Sequence, residues 1–156
     1  MTIAASVEEL LTREGVQYDM VGHERTPNST RSAQAAHIPG DRLAKCVVLH
    51  DDHGYVMAVL PATHKVDLSA VRHQLSRPLG LATDGELADL FKDCEPGAIP
   101  PLGDAYGLEA ILEERLAGEP EIYFEAGDHL ALVHLRGSDF LRLMARAPRA
   151  QISQHV

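Results

Sequence analysis

Three groups of residues in this chain have types and spacings that could do chemistry. The first is a lone lysine. Lysines stand only at Lys45, Lys65 and Lys92, against eleven arginines, and Lys45 leads the most apolar stretch, Cys46-Val-Val-Leu49. An ammonium there is either half-buried or points from a sheet into a cleft, where a phosphate or carboxylate would hold it charged. The plainer reading is a strand-end lysine reaching water along its methylene stem, and spacing alone favours it. The second group is the segment Glu95-Pro-Gly-Ala-Ile-Pro-Pro-Leu-Gly103, with three prolines and two glycines. Such a loop is stiff, and Gly97 can take φ > 0 or let a ligand approach the backbone. It can present N–H and C=O groups to a small polar ligand, or serve only as a rigid crossover. The third group is nine histidines and two cysteines. His50 and His53 fall at a strand end and turn rather than on one helical face, and no HExxH or CxxC is present. Solvated surface histidines are the better reading, with His129 a turn residue. Cys46 could be an activated thiolate beside Lys45, but an apolar strand makes it a buried structural thiol. No GxSxG elbow, GxGxxG or Walker loop occurs.

These residues need elements to position them. Ser6-Val-Glu-Glu9 reads as a capping box opening a helix over about 6–15, with Val7, Leu10 and Leu11 as its apolar stripe and Gly15 as its stop. Residues 17–22 read as extended. Residues 23–30 read as a loop with Pro27 and Asn28 as turn formers, and Arg31–His37 as a short helix. The strongest β signal is a hairpin, about 45–51 and 54–60, around Asp52-His53-Gly54. Its two runs are nearly continuous in apolar residues, so part of the hairpin is buried on both faces. Asp67 is expected to cap a helix carrying Leu68, Val71 and Leu75. Thr83-Asp-Gly-Glu86 is a second capping box, and Ser138 is expected to cap the last helix. Strands are expected over about 108–113, 121–125 and 130–135. Strict βαβ alternation is missing, so the fold class is α+β, with a mixed or mostly antiparallel central sheet.

Composition bounds the rest. The 156 residues make one ordinary domain spanning 1–156, 45% hydrophobic and 24% charged. Two cysteines give no disulfide framework and no four-ligand zinc site. No apolar run reaches the roughly 20 residues of a membrane helix, and the N-terminus lacks a signal-peptide pattern, so the expected compartment is the cytoplasm. A net charge of −9 disfavours coating a DNA duplex. Aromatics at 4%, with no Trp, disfavour a base-stacking platform. The charge is uneven, however: residues 23–45 hold four Lys/Arg against two Asp/Glu, and residues 84–128 hold two against thirteen.

Taken in order, Thr30-Arg-Ser-Ala-Gln-Ala-Ala36, Ala44-Lys-Cys-Val-Val-Leu49, Val66-Asp-Leu68, Gly97-Ala-Ile-Pro-Pro101 with Leu102-Gly103, and Ile122-Tyr-Phe-Glu-Ala-Gly127 carry a resemblance. The chain resembles the YbaK/prolyl-tRNA synthetase-associated domain family, free-standing aminoacyl-tRNA deacylases related to the editing insertion of bacterial prolyl-tRNA synthetase. The most specific pair is a strand-leading lysine followed, about fifty residues on, by a Gly-x-x-x-Pro loop. The resemblance implies a mixed sheet flanked by helices, with a cleft between the lysine strand and that loop. It implies that Lys45 binds the 3′ end of aminoacyl-tRNA and that Gly97 offers backbone contacts to the aminoacyl group or ribose. Ala98, Ile99, Pro100, Pro101, Cys46, Gly127, His129 and Arg31 would line the substrate. Cys46 stands where relatives often carry Thr or another small residue, and some relatives place a histidine near His129. No cofactor or metal is implied. The expected partners are the acceptor end of aminoacyl-tRNA, gripped by Lys45 with Arg25, Arg31 and Arg42, and a synthetase. Two other readings stand beside this one: a non-catalytic module that docks on tRNA or a synthetase, and a metal hydrolase using clustered histidines.

Overall fold

The structure, a computed structural model, describes residues 3–26 and 28–156. It opens with helix α1 (Ala5–Arg13), edge strand β1 (Asp19–Gly22) and helix α2 (Ser29–Ala35). The hairpin follows as β2 (Leu43–Asp51) and β3 (Gly54–Pro61), then the short β4 (His64–Val66) and α3 (Leu68–Leu75). Next come β5 (Gly80–Leu81), α4 (Asp84–Leu90), β6 (Glu109–Glu113), β7 (Glu121–Glu125) and β8 (Ala131–Arg136). Helix α5 (Gly137–Leu143) and two short strands, β9 (Arg149–Ala150) and β10 (Ser153–His155), complete the chain.

The main sheet runs β1-β8-β7-β2-β3-β6-β9, with β5 also pairing β2, while β4 and β10 form a separate ribbon. Pairing is antiparallel at β1/β8, β7/β8, β2/β3, β2/β5 and β4/β10, and parallel at β2/β7, β3/β6 and β6/β9. The sheet is therefore mixed and mostly antiparallel, as expected.

Both faces of the sheet are covered, which explains the unbroken apolar runs in the hairpin. One face buries Ala44, Val48, Met57, Val59, Ile122 and Phe124 against Val7, Leu10 and Leu11 of α1 and Phe140 of α5. The other buries Leu49, Val56, Ala58 and Leu60 with Val71 of α3, and Leu43 and Leu132 with Ala33 of α2. Successive residues of β2 alternate between these faces, so Lys45 and Cys46 must leave the sheet on opposite sides.

Local signals decide where most helices begin and end. Asp67 accepts from Ala70 N at 3.0 Å, and Thr83 and Glu86 form the expected reciprocal capping box. Gly15, at φ +65°, ends α1: its N–H bonds Thr12 O and the Val16 N–H bonds Leu11 O, so two orphan carbonyls are satisfied. Two expected caps are not used. Helix α1 starts at Ala5 without a side-chain cap, because the Ser6 N–H donates instead to Asp93 Oδ2 at 3.0 Å. Helix α5 starts at Gly137, which places Ser138 inside the first turn rather than ahead of it. Helix α2 begins two residues earlier than expected because Asn28 caps it, accepting from Arg31 N at 3.0 Å. The other expected turn former there, Pro27, lies outside the described residues.

Candidate functional site

The site lies where strand pairing fails along one edge of β2. On that edge β7 pairs only at Leu43↔Tyr123 and Ala44↔Phe124. Further along, β5 pairs at Leu49↔Leu81 and His50↔Gly80, and Ala82 N takes the Val48 carbonyl. Among the described residues no strand pairs with this edge from Lys45 to Val47. Lys45 and Glu125 are thus the first residues past the point where two parallel strands part, one on each strand.

The proline-rich loop closes this gap from the Cys46 side. Glu95 N donates to Gly127 O at 2.7 Å, Cys46 Sγ donates to Ile99 O at 3.6 Å, and the His129 ring donates from Nε2 to Pro96 O. Ala98, Pro100, Pro101 and Leu102 are buried, whereas Pro96 and Gly97 stay exposed. The prolines and buried residues anchor the loop, and Gly97, at φ +80°, is left at its accessible tip. The loop therefore meets β2 through Cys46, by the face opposite the Lys45 side chain.

On the Lys45 side, Nζ donates to Ala62 O at 3.3 Å, and Thr30 Oγ1 of α2 donates to the same oxygen at 3.3 Å. Burial lowers the Lys45 pKa from its ordinary value, because a half-buried ammonium loses hydration. The thiol of Cys46 is pushed the other way, up to about 12, chiefly by burial and further by the neighbouring Cys94. It stays protonated at neutral pH, which removes the activated-thiolate reading.

The remaining expected site residues separate by environment. Gly127 is buried at φ +123°, and a Cβ there would come within 3.1 Å of Ala4 Cβ, so packing and backbone geometry account for it. His129 is buried, with Nε2 committed to Pro96 O and Nδ1 without a hydrogen-bond partner among the described residues. Arg31 is exposed on α2. Of the other arginines, Arg25 pairs with Glu95 at 2.8 Å, and Arg42 pairs with Glu119 at 3.1 Å and Glu121 at 3.6 Å.

Two residues beside the gap are not distinguished as site residues by type or spacing, although Glu125 lies within the Ile122–Gly127 segment that carries the family resemblance. Glu125 and His23 are buried on the α2 side, Glu125 Oε2 lying 3.8 Å from His23 Nε2. Nothing local in Phe-Glu-Ala or Gly-His-Glu distinguishes them from solvated residues, and only the β1/β8/β7 pairing brings them together. A cavity of about 640 Å³ lies away from Lys45, lined by Arg13, Val56, Gly103, Leu108, Met144 and Ala147 among others. Among the described residues, no helix is long and apolar enough to cross a membrane, and no group of three or more His, Cys, Asp or Glu side chains is arranged to hold a metal ion.

Comparison with known proteins gives this geometry a family. Residues 23–143, which include Lys45, the 94–103 loop and His129, match the aminoacyl-tRNA editing domain. The chain belongs to the aminoacyl-tRNA editing domain family. A crystal structure described as that of "a putative trans-editing enzyme for prolyl tRNA synthetase" is 26% identical, with TM-score 0.83 over 97% of this chain and 96% of that one. A structure described only as a hypothetical protein is 19% identical, with TM-score 0.82 over 96% and 99% of the two chains. A third, from work on presenting linear epitopes on scaffold proteins, is 20% identical with TM-score 0.80, covering 98% and 97%. The last two share the editing-domain fold alone. No curated protein matches the chain.

Proposed function

We propose that the protein is a trans-editing hydrolase that deacylates mischarged aminoacyl-tRNA carrying a small amino acid, with tRNA-Pro as the leading acceptor. The observation that carries this reading is the placement of Lys45 and the Gly97–Pro101 loop at one break in strand pairing, in a chain of the editing family. A synthetase cannot reject a slightly smaller side chain strongly by binding alone, so a second site that hydrolyses the mistake is the physical solution.

The ester is already reactive, so hydrolysis needs orientation and polarisation more than a strong nucleophile. The Lys45 ammonium, held toward Ala62 O, meets a phosphate or ribose oxygen of the acceptor end. Backbone groups around the exposed Gly97 contact the aminoacyl carbonyl or the terminal ribose, and the buried Pro100 and Pro101 keep them fixed. Water, or the neighbouring ribose hydroxyl assisting it, attacks the carbonyl carbon. The bond to the ribose oxygen breaks, that oxygen takes a proton, and free amino acid and tRNA leave. No covalent enzyme intermediate and no metal take part in this scheme. Arg25 and Arg42 already serve carboxylates, so few cations remain for phosphates. Binding should be modest with a shallow salt dependence.

The test is a deacylation panel in which purified protein meets tRNA-Pro charged with Ala, Cys, Ser or Pro, and tRNA-Ala and tRNA-Ser carrying their own amino acids. Rapid hydrolysis of one mischarged species with Pro-tRNA-Pro spared is the expected result. Hydrolysis of none, with or without added prolyl-tRNA synthetase, would contradict the reading and favour a binding module.

A further inference from the structure

One rung of strand β2 is left empty, and the hydrogen bonds on either side fix which one. Successive residues of a strand turn their N–H and C=O groups to opposite edges. Ala62 N donates to Leu43 O on the β3 edge, and Ala82 N donates to Val48 O on the opposite edge. The pairing of β2 with β3 is unbroken from Ala44 to Asp51, so the alternation holds throughout. Odd-numbered residues of β2 therefore serve β3, and even-numbered ones serve the edge shared by β7 and β5. Ala44 meets β7 on that edge, and Val48 meets the chain leaving β5. Cys46 stands between them and turns its N–H and C=O into the gap. Among the described residues, no loop or turn backbone group bonds either of them. Accessibility marks the same place. Lys45, Cys46 and Val47 are partly exposed, while Leu43, Ala44, Val48 and Leu49 on both sides are buried.

An empty rung calls for a partner with a donor and an acceptor on one residue. In an antiparallel pair, two residues directly opposite exchange both hydrogen bonds, which a parallel partner does not do. An α-aminoacyl ester carries the matching set: an ammonium donor and a carbonyl acceptor on the same α-carbon. The pairs at Ala44 and Val48 bound the gap at that single rung.

We propose that the aminoacyl group docks on Cys46 as a one-residue antiparallel strand, its ammonium donating to Cys46 O and its carbonyl oxygen accepting from Cys46 N–H. This rests on the deacylase reading and deepens it. The antiparallel direction sets the ester oxygen and ribose opposite Lys45 and the ammonium toward Val47. Directly opposite residues share a face, so an L side chain falls on the Cys46 Sγ side, beside Ile99, whose carbonyl takes the thiol at 3.6 Å. A D side chain falls on the Lys45 side instead. The Cys46 N–H is also aimed where charge develops. As water adds to the carbonyl carbon, the carbonyl oxygen becomes negative and its bond to that N–H strengthens. The bond to the ribose oxygen then breaks, and that oxygen takes the proton the water gives up.

The experiment is amide hydrogen exchange, read by NMR on the whole protein, free and with 3′-(L-alanylamino)-3′-deoxyadenosine, in which an amide replaces the ester. In the free protein the Cys46 N–H should exchange about tenfold or more faster than those of Lys45 and Val47, whose residues pair Leu60 and Ala58 of β3. The analogue should slow Cys46 about tenfold or more and leave those two unchanged. Slow exchange at Cys46 in the free protein, or no slowing at millimolar analogue, would overturn the proposal. A second arm uses tRNA-Pro carrying L-alanyl, D-alanyl or propionyl groups, each rate divided by its spontaneous hydrolysis. The L-alanyl ester should be accelerated about tenfold or more beyond the other two, since D-alanyl misplaces its methyl group and propionyl has no donor for Cys46 O. Equal acceleration of all three would overturn the pairing while leaving the deacylase reading intact. If none is hydrolysed and the analogue still protects Cys46, the deacylase reading fails and the pairing stands.

Discussion

Lys45 and Thr30 are joined through one atom: Nζ and Oγ1 each donate to the carbonyl oxygen of Ala62 across 3.3 Å. The lysine is thereby oriented by the helix α2 that precedes its strand in the chain. Thr30→Val keeps the shape and removes one donor. A hydrogen bond of this kind is worth about 1 kcal/mol, so Thr30→Val should lower Tm by about 2–4 °C and, through a less firmly held Lys45, lower kcat for deacylation up to about fivefold. Steady-state kinetics beside a thermal melt checks this. An unchanged kcat would mean that the shared carbonyl does not position Lys45.

The two glycines of the expected site should fail differently. Gly97 is exposed at φ +80° on the loop tip, so Gly97→Ala carries strain of about 1 kcal/mol and should cut activity while the protein stays folded. Gly127 is buried at φ +123°, with Ala4 Cβ 3.1 Å from where its Cβ would stand. Gly127→Ala should cost about 2–3 kcal/mol through combined strain and overpacking. Chemical denaturation of both variants, alongside their activities, separates the two roles.

Cys46 should prove inert as a nucleophile. Its thiol is pushed up to about 12 by burial and bonds the Ile99 carbonyl, so the thiolate is scarce at neutral pH. Iodoacetamide should modify it far more slowly in the native protein than after unfolding. Mass spectrometry during turnover should show no aminoacyl thioester. A thioester on Cys46 would replace the water-attack scheme with a covalent one.

What the sequence made legible follows the range of the interactions involved. The hairpin could be read because its apolar runs and the Asp-His-Gly turn are local, and the caps at Asp67 and Thr83 because their partners lie three residues away. The cap assigned to Ser6 failed because Asp93, far along the chain, takes its N–H. The short strands β5, β9 and β10 have no periodicity of their own and exist through pairing with distant partners. The same limit applies to the site. Lys45 and the Gly97–Pro101 loop stand out by residue type and by resemblance. The break in pairing that unites them depends on β7 leaving β2 after Ala44, and the His23–Glu125 contact depends on β1 reaching β8. Neither relationship has a local trace.

The central claim is that Lys45 drives hydrolysis rather than merely binding or packing. Its most direct test is single-turnover deacylation of the species the wild type prefers, at saturating enzyme, comparing wild type with Lys45→Ala. Saturation removes any difference in tRNA affinity, so the rate reports the chemical step. The account expects the single-turnover rate to fall at least a hundredfold while the melting curve stays intact, since no buried partner charge is stranded when Lys45 leaves the Ala62 carbonyl. A wild-type rate in Lys45→Ala under these conditions would contradict it.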